Sequence, residues 1–449
     1  MKKQVIRLGL IAVSGVRVQD QTLLSFGLTL PGFVERSKVI ASLPSLSLLT
    51  LAGMAPQDIE VSYHELPNET SPDLINEDFD VVAIASYTAR IKDAYRLSDL
   101  YRARDVKTIM GGLHVTALPD EAKRHADTIV LGEAETVWPR VLDDLKAGCL
   151  ASVYDGRGEV FDLANAPMPR FDLLDPNQYN RLTVQTQRGC PYDCSFCASS
   201  VRLTPRYQVK PVDKVMAEID AIKMLWPQPF IEFADDNSFV NKSHSKALLK
   251  ALAKRQVRWF TESDLSIAED EEMLALMQDS GCAQVLVGFE SPTIDALSGL
   301  ERKADWKARQ VDRYAWSIDR IQRAGITVNG CFVLGMDGQG GNQFDAVEQF
   351  VKDSGLYEVQ VTIQTPFPGT PLYDQLKADG RLINDTAWEK CSLFDLNYYP
   401  DGMTVEAFTK GFRDLVMRLY SEEATHERRR GFFKRRKELV PNGNSHAFV

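Results

Sequence analysis

The stretch Gln187–Ser199, QRGCPYDCSFCAS, sets Cys190, Cys194 and Cys197 at the spacing C-x3-C-x2-C, just after the apolar run Leu182–Val184. Three thiolates this close are ligands for a soft metal, iron or zinc. No fourth ligand lies nearby: no histidine falls between His125 and His244, and the next cysteine is Cys282. Three protein ligands leave one metal position open, as catalytic rather than structural sites do. On an iron–sulfur cluster, ordinarily held by four thiolates, that leaves one iron free for substrate. A structural zinc site shows two separated cysteine pairs, and here there is a single group of three. Seven cysteines in 449 residues, three of them within eight positions, read as a metal site in a reduced chain rather than a disulfide framework.

The remaining composition bounds the answer. The length suggests two or three domains with sizeable cores. A net charge of −10 argues against a general nucleic-acid binder. The opening MKKQVIRLGLIAVSG is broken by Arg7 and reads as a first strand, not a signal peptide. No run approaches the apolar length needed to span a bilayer. These features indicate a soluble, cytoplasmic enzyme.

Residues 1–150 alternate apolar runs (Val5–Val13, Ile59–Glu65, Asp80–Ser86, Lys107–Gly111, Thr128–Gly132) with helical patterns, which predicts an α/β fold with a mostly parallel, Rossmann-like (flavodoxin-like) sheet. Ligands sit beyond the carboxyl ends of such strands. There the sequence places Ser86-Tyr87-Thr88, Gly111-Gly112-Leu113-His114 and Gly132-Glu133-Ala134-Glu135. Residues 151–180, with three prolines and no sustained period, are expected to be a linker. From 181 to 375 the alternation resumes with six strand–helix units, too many for a simple doubly wound sheet and too few for a full barrel. A partial (β/α)6 TIM-like barrel fits, and its polar strand ends are Asp235-Asp236-Asn237, Glu262-Ser263 and Gly288-Phe289-Glu290-Ser291. Asp236 or Asn237 could equally cap the following helix. Residues 376–449 form a helical C-terminal region ending ERRRGFFKRRKEL. Its seven Arg and Lys around Phe432 and Phe433 suit either a solvated tail or peripheral contact with an anionic membrane. Cys282, Cys331 and Cys391 are scattered and read as small buried hydrophobes.

RGCPYDCSFC, with Phe196 before the third cysteine, resembles the cluster motif of the radical S-adenosylmethionine enzymes. The resemblance implies a 4Fe-4S cluster on Cys190, Cys194 and Cys197, with S-adenosylmethionine on the open iron and cleaved to methionine and a 5′-deoxyadenosyl radical. It implies that Asp235, Asp236 and Asn237 hold the amino group of S-adenosylmethionine. Glu290 and Ser291, in GFES, would reach its ribose and carboxylate, with Gly288, Glu262 and Ser263 beside them. An external electron donor such as flavodoxin or ferredoxin follows from the same chemistry. PSLSLLTLAGM, IMGGLHVTALPDEA and ADTIVLGEAE resemble the cobalamin-binding domain that precedes the barrel in one large subgroup, which assigns Ser86, Thr88, Gly111, Gly112, His114, Gly132 and Glu133 to cobalamin. The D-x-H-x-x-G motif that supplies a cobalt ligand is missing, so His114 could instead satisfy backbone groups in a turn.

The subgroup's chemistry, like that of class B radical methyltransferases, is methylation of an unactivated carbon of a small-molecule or lipid metabolite. Radical cyclisation, isomerisation or oxidation would use the same motifs. An electron-transfer or regulatory iron–sulfur protein would not cleave S-adenosylmethionine at all.

Overall fold

Runs such as IRLGLIAV and TIVLG are apolar along their whole length, which suits strands covered on both faces. The structure, a computed structural model, describes residues 5–25, 43–67, 70–198, 206–301 and 305–439. Lys2, Lys3 and Ser199 lie outside the described residues. Two units are compact: Met1–Asp236 with Thr365–Tyr399, and Asn237–Gln364 with Pro400–Val449.

In the first unit, β1 (Ile6–Val13), β2 (Ile59–Glu65), β3 (Val81–Ser86), β4 (Lys107–Gly111), β5 (Thr128–Gly132) and β6 (Val153–Gly156) form one sheet in the order β2-β1-β3-β4-β5-β6. Every adjacent pair is parallel, as expected for a flavodoxin-like arrangement. Successive side chains go to opposite faces. Leu8, Leu10, Val81 and Ala83 pack on Leu48 of helix Leu46–Gly53 and Trp138 of helix Ala134–Ala147. Ile11, Val13, Val82 and Ile84 pack on Leu97 of helix Ile91–Arg102 and on Tyr373 and Trp388. The segment 151–180 is not a bare linker: Val153–Gly156 pairs with β5 from Ile129↔Val153 to Gly132↔Gly156. Four residues are too few to show a strand period.

The second sheet takes β7 (Leu182–Val184), β10 (Phe230–Phe233), β11 (Arg258–Ser263), β12 (Cys282–Glu290), β13 (Thr327–Leu334) and β14 (Glu358–Ile363), in the order β14-β13-β12-β11-β10-β7. A small antiparallel pair, β8 (Gln187–Arg188) with β9 (Gln208–Val209), is separate from it. Helices Val212–Leu225, Lys242–Leu252, Glu271–Asp279, Tyr314–Arg323 and Gln343–Ser354 alternate with the strands. This is the partial (β/α)6 barrel expected from the sequence.

The basic C-terminal run is a docked helix, Glu422–Leu439, rather than a free tail. Phe432 is 2% exposed and meets the Tyr357 ring edge-on at 5.1 Å. Arg428 Nη1 donates to the Leu419 carbonyl at 2.6 Å, and Arg435 Nη2 donates to the Gly355 carbonyl at 2.6 Å. Arg429 pairs with Glu358 at 3.2 Å. These cations close carbonyls that helix ends leave open. Among the described residues, no helix is long and apolar enough to cross a membrane. Phe432→Ala should cost about 3 kcal/mol, the low end for emptying a buried aromatic site. Phe433→Ala, at a side chain 50% exposed, should stay within about 0.5 kcal/mol. Denaturant unfolding of the two variants checks the contrast.

Candidate cofactor sites

β7 stops at Val184, and the backbone that follows needs new hydrogen-bond partners. Asp235 supplies them: its carboxylate accepts from Thr186 N at 2.7 Å, Gln187 N at 3.1 Å and Thr186 Oγ1 at 2.5 Å. Asp236 accepts from Gly189 N at 3.0 Å. Gly189 has φ +87°, and a Cβ there would lie 3.0 Å from the Arg206 carbonyl, so the turn into Cys190 requires glycine. Cys194 is buried and Cys190 and Cys197 are half-buried, none of the three in a disulfide. Cys197 N donates to the Cys194 carbonyl at 3.2 Å, which tightens the loop, and Leu372 N donates to the Ser195 carbonyl at 3.1 Å. Among the described residues no group of three His, Cys, Asp or Glu side chains is arranged to hold a single metal ion. A cluster asks for something different, because it spreads its thiolates over separate irons. Three sulfur donors on one braced loop fit that demand.

Arg188 lies two residues before Cys190. Its Nη1 donates to Glu133 Oε2 at 3.2 Å, Nη2 to Glu135 Oε1 at 2.7 Å, and Nε and Nη2 to Gln185 Oε1 at 3.2 and 2.9 Å. Burial works against the charged guanidinium, but Glu135 and Glu133 outweigh it and hold its pKa above the usual value. Glu133 also accepts from Phe161 N at 2.9 Å. Neighbouring Gly132 has φ +79°, and a Cβ there would fall 2.7 Å from the Gly156 carbonyl carbon. Gly132 and Glu133 therefore stand in a closed corner of the sheet edge.

The open corner is elsewhere. Val13 pairs with Ser86 and Ala85 with Gly111, so Ser86-Tyr87-Thr88, at the strand-order reversal between β1 and β3, emerge beside Gly112-Leu113 at the end of β4. Nothing lies within 4 Å of where a Gly112 Cβ would be. Tyr87 and Leu113 are exposed at the same edge, Tyr87 at 53%. Burial, with the Glu232 and Glu65 carboxylates, pushes the Tyr87 phenol pKa up. An exposed glycine flanked by uncovered apolar groups fits a broad, largely apolar ligand. Arg90, which the sequence did not single out, fixes this edge by donating to the carbonyls of Ser14, Gly15 and Pro67 at 2.8, 3.2 and 2.9 Å.

His114 does not share this opening. It is 1% exposed, its Nε2 lies 3.3 Å from Glu121 Oε1, and Trp388 stands edge-on at 5.1 Å. Trp388 Nε1 donates to Glu121 Oε2 at 3.2 Å. His114 thus bonds a side chain, Glu121, in a buried network, and not backbone groups in a turn.

In the second unit, β12 carries an irregularity between Gly288 and Glu290 in its register with β13. Phe289 is buried against Phe332, and Glu290 takes φ +60°, a conformation rare for a side-chain-bearing residue. Glu290 forms an ion pair with Lys307, whose Nζ also lies 3.4 Å from the Gly288 carbonyl. A Cβ on Gly288 would sit 2.6 Å from Glu290 Oε1, so the glycine makes room for this pair. Ser291 Oγ bonds Thr293 Oγ1 at 3.0 Å, and Ser263 Oγ donates to the Asp264 carbonyl at 2.9 Å. Glu262 alone of these residues is exposed. Asn237 Nδ2 donates to Asp264 at 2.8 Å, and the following helix is capped by Asn241, whose side chain accepts from His244 N at 3.1 Å. Neither Asp236 nor Asn237 is that cap. Lys307 gave no signal in the sequence, because its partner lies seventeen residues earlier.

Comparison with known proteins meets this geometry. The Radical SAM superfamily matches residues 184–353, the B12 binding domain matches 36–142, and a domain of unknown function matches 370–447. Bacteriochlorophyllide d C-12(1)-methyltransferase of Chlorobaculum tepidum is 28% identical over 395 residues, covering 86% of this chain and 84% of its own. Hopanoid C-2 methylase of Rhodopseudomonas palustris is 24% identical, covering 90% and 76%. The radical S-adenosylmethionine methyltransferase TsrM from Kitasatospora setae, solved with cobalamin and a 4Fe-4S cluster, superposes with a TM-score of 0.68 at 14% identity, covering 94% of this chain and 90% of that one. A B12-binding sheet followed by a radical S-adenosylmethionine barrel defines the class of protein. The chain belongs to the cobalamin-binding radical S-adenosylmethionine enzymes, and its cofactors are a 4Fe-4S cluster, S-adenosylmethionine and cobalamin.

The buried network at His114 yields a pH prediction. Burial raises the Glu121 pKa, but the hydrogen bond and charge of His114, with Trp388, outweigh it and hold the carboxyl below its usual value. The stability it contributes is therefore complete above the free carboxyl's value of about 4.3 and is lost as pH falls through the lower folded value. Glu121→Gln should cost about 1.5–3 kcal/mol at neutral pH. Its deficit against the native chain should shrink as pH drops below about 4.5, measured as paired unfolding midpoints.

Proposed function

We propose that this enzyme methylates an unactivated carbon of a small-molecule or lipid substrate. The observation that carries this reading is the presence, in one chain, of an open apolar sheet edge at Tyr87, Gly112 and Leu113 and a braced three-cysteine loop. The methyltransferase names of the relatives support it. Cys190, Cys194 and Cys197 would hold the cluster, and the exposed edge, with Ser86, Thr88 and Gly111, would take the corrin. Bound there, the two groups supply the electron that cleaves S-adenosylmethionine and the relay that carries a methyl group.

The chain's own residues do the rest. Asp235 and Asp236 hold the backbone leading into the loop, so the thiols meet the metal with little freedom left to lose. Asp235 is given to that task, and Asp236 and Asn237, beside it at the end of β10, are the residues we assign to an ammonium group. Glu262, exposed at the end of β11, is the polar group best placed to accept from a ribose hydroxyl. Glu290 reaches substrate or cofactor only in company with Lys307, as a pair whose charges cancel. The division into a cobalamin-binding domain at 1–150, a barrel at 181–375 and a helical region at 376–449 belongs to the same reading. So do an external flavodoxin or ferredoxin donor and a cytoplasmic location, and Phe433 with the cations not spent on docking is the part of the last helix left for contact with a membrane.

Anaerobic reconstitution followed by mass analysis tests the proposal. The native chain should hold about four irons and, once reduced, release both 5′-deoxyadenosine and S-adenosylhomocysteine. 5′-Deoxyadenosine without S-adenosylhomocysteine would overturn methylation. Cys194→Ser should lose most of its iron and all nucleotide cleavage; retention of both would overturn the assignment of the loop.

A further inference from the structure

The proposed function leaves one group of buried charges unexplained. Arg188 spreads its guanidinium over Glu133, Glu135 and Gln185, and the two glutamate side chains are 2% and 11% exposed. Such a group is a poor way to gain stability, since apolar residues of equal volume often do as well or better. Its geometry also argues against a purely stabilising role. A guanidinium set to bind one carboxylate docks its two parallel N–H groups on both oxygens. Here the fork is split between two carboxylates, and Glu133 Oε1 is buried without a hydrogen-bond partner.

What the split fork does is join two places. Glu133 directly follows β5 at the carboxyl edge of the B12-binding sheet, and Glu135 lies in the first turn of helix Ala134–Ala147. Arg188 is part of β8, one residue before Gly189, whose amide is held by Asp236. On the far side, Asp235 fixes Thr186 and Gln187. The backbone leading into Cys190 is thus held from one side by Asp235 and Asp236, and through its side chain from the other by Glu133 and Glu135. Gly132, at the end of β5, donates its N–H to Thr116 Oγ1 at 3.1 Å, in the helix Leu113–Ala117 that starts at the open edge. Movement of the cysteine loop must therefore be shared with the end of β5, and through it with that helix, or must break buried charge-assisted hydrogen bonds.

We propose that Arg188 is a positioning residue that couples the two cofactor sites, so that filling the cysteine loop with its cluster tightens cobalamin binding at the sheet edge. This rests on the assignment of the two sites given above. By linkage, the reciprocal effect on cluster retention has the same magnitude.

The test uses the full-length chain, handled without oxygen, with hydroxocobalamin as the probe and its visible absorbance as the readout. Titration is done with the cluster reconstituted and with iron withheld. The native chain should bind hydroxocobalamin roughly fivefold or more tightly when the cluster is present. In Arg188→Gln the ratio should fall to about one, with both forms still binding the probe. Arg188→Lys, which keeps the charge but loses the planar fork that also holds Gln185, should lie between. Glu135→Gln removes one arm while leaving the loop sequence intact, and should lower the ratio without adding to Arg188→Gln in the double variant. A ratio near one in the native chain, or an unchanged ratio in the variants whatever happens to their unfolding midpoints, overturns the coupling. So does failure of both variants to take up iron, because a positioning role leaves the three thiols able to bind it. A native chain that binds no iron or no cobalamin would instead sink the proposed function.

Discussion

A single buried carboxylate sets the conditions for the metal loop. Asp235 receives three hydrogen bonds from Thr186 and Gln187 at the point where β7 has run out of strand partners. A buried charge is costly unless it is saturated, and a buried amide is costly unless it is paired. Each problem here is the solution to the other. Without the carboxylate, the turn into Cys190 would need water or a different path. With it, the loop leaves the strand in one direction, and the positive φ of Gly189 and the hold of Asp236 follow from that path.

The same economy runs through both units. Acidic groups near the strand ends are mostly taken by a cation or an amide: Glu232 by Arg181, Glu133 by Arg188 and Phe161 N, Glu290 by Lys307. Asp235, Asp236 and Glu133, which read as ligand contacts in the sequence, also accept from backbone amides. Among the described strand-end residues singled out in the sequence, the exposed ones are Tyr87, Gly112 and Leu113 in one unit and Glu262 in the other. An exposed group at a strand end costs nothing in desolvation until a ligand arrives, so the uncovered residues are the ones whose binding energy remains available.

Much of this was legible in the sequence, and the reasons are physical. The strands of parallel sheets are buried on both faces, so Ile59–Glu65, Lys107–Gly111, Thr128–Gly132 and Leu182–Val184 stand out as runs with the limits they have in the structure. The cysteine spacing is equally direct, since metal chemistry demands those atoms close together. β6 escaped because a four-residue strand carries no period, and its partner β5 is set by tertiary pairing. The roles of Asp235, Arg188, Lys307 and His114 escaped for a different reason. A polar side chain at a strand end can face a ligand or the chain's own backbone, and only the folded neighbours decide which. The C-terminal basic run misled in the same way: its composition resembles a solvated tail, yet Phe432 and three arginines are consumed in docking.

The region that matches a domain of unknown function, 370–447, gains a physical meaning from where its parts are fastened. Its first portion returns to the first unit: Trp388 bonds Glu121, Lys92 pairs with Glu389 at 2.8 Å, and Asp395 accepts from Gln19 N and Asp20 N at 2.8 and 3.0 Å. Its later portion belongs to the second unit, where Val361 N donates to the Tyr420 hydroxyl at 3.0 Å and Arg435 caps Gly355. Val361 lies on β14, at the end of the sheet order, where backbone donors have no further strand to pair with. A hydroxyl delivered by the C-terminal helices therefore closes an edge that would otherwise invite pairing with another chain. The contacts of the first portion join residues 267 to 376 positions apart, so each must offset the entropy of closing a long loop. The first unit, read alone as an N-terminal cofactor module, is thus completed only when the C-terminal third of the chain is in place.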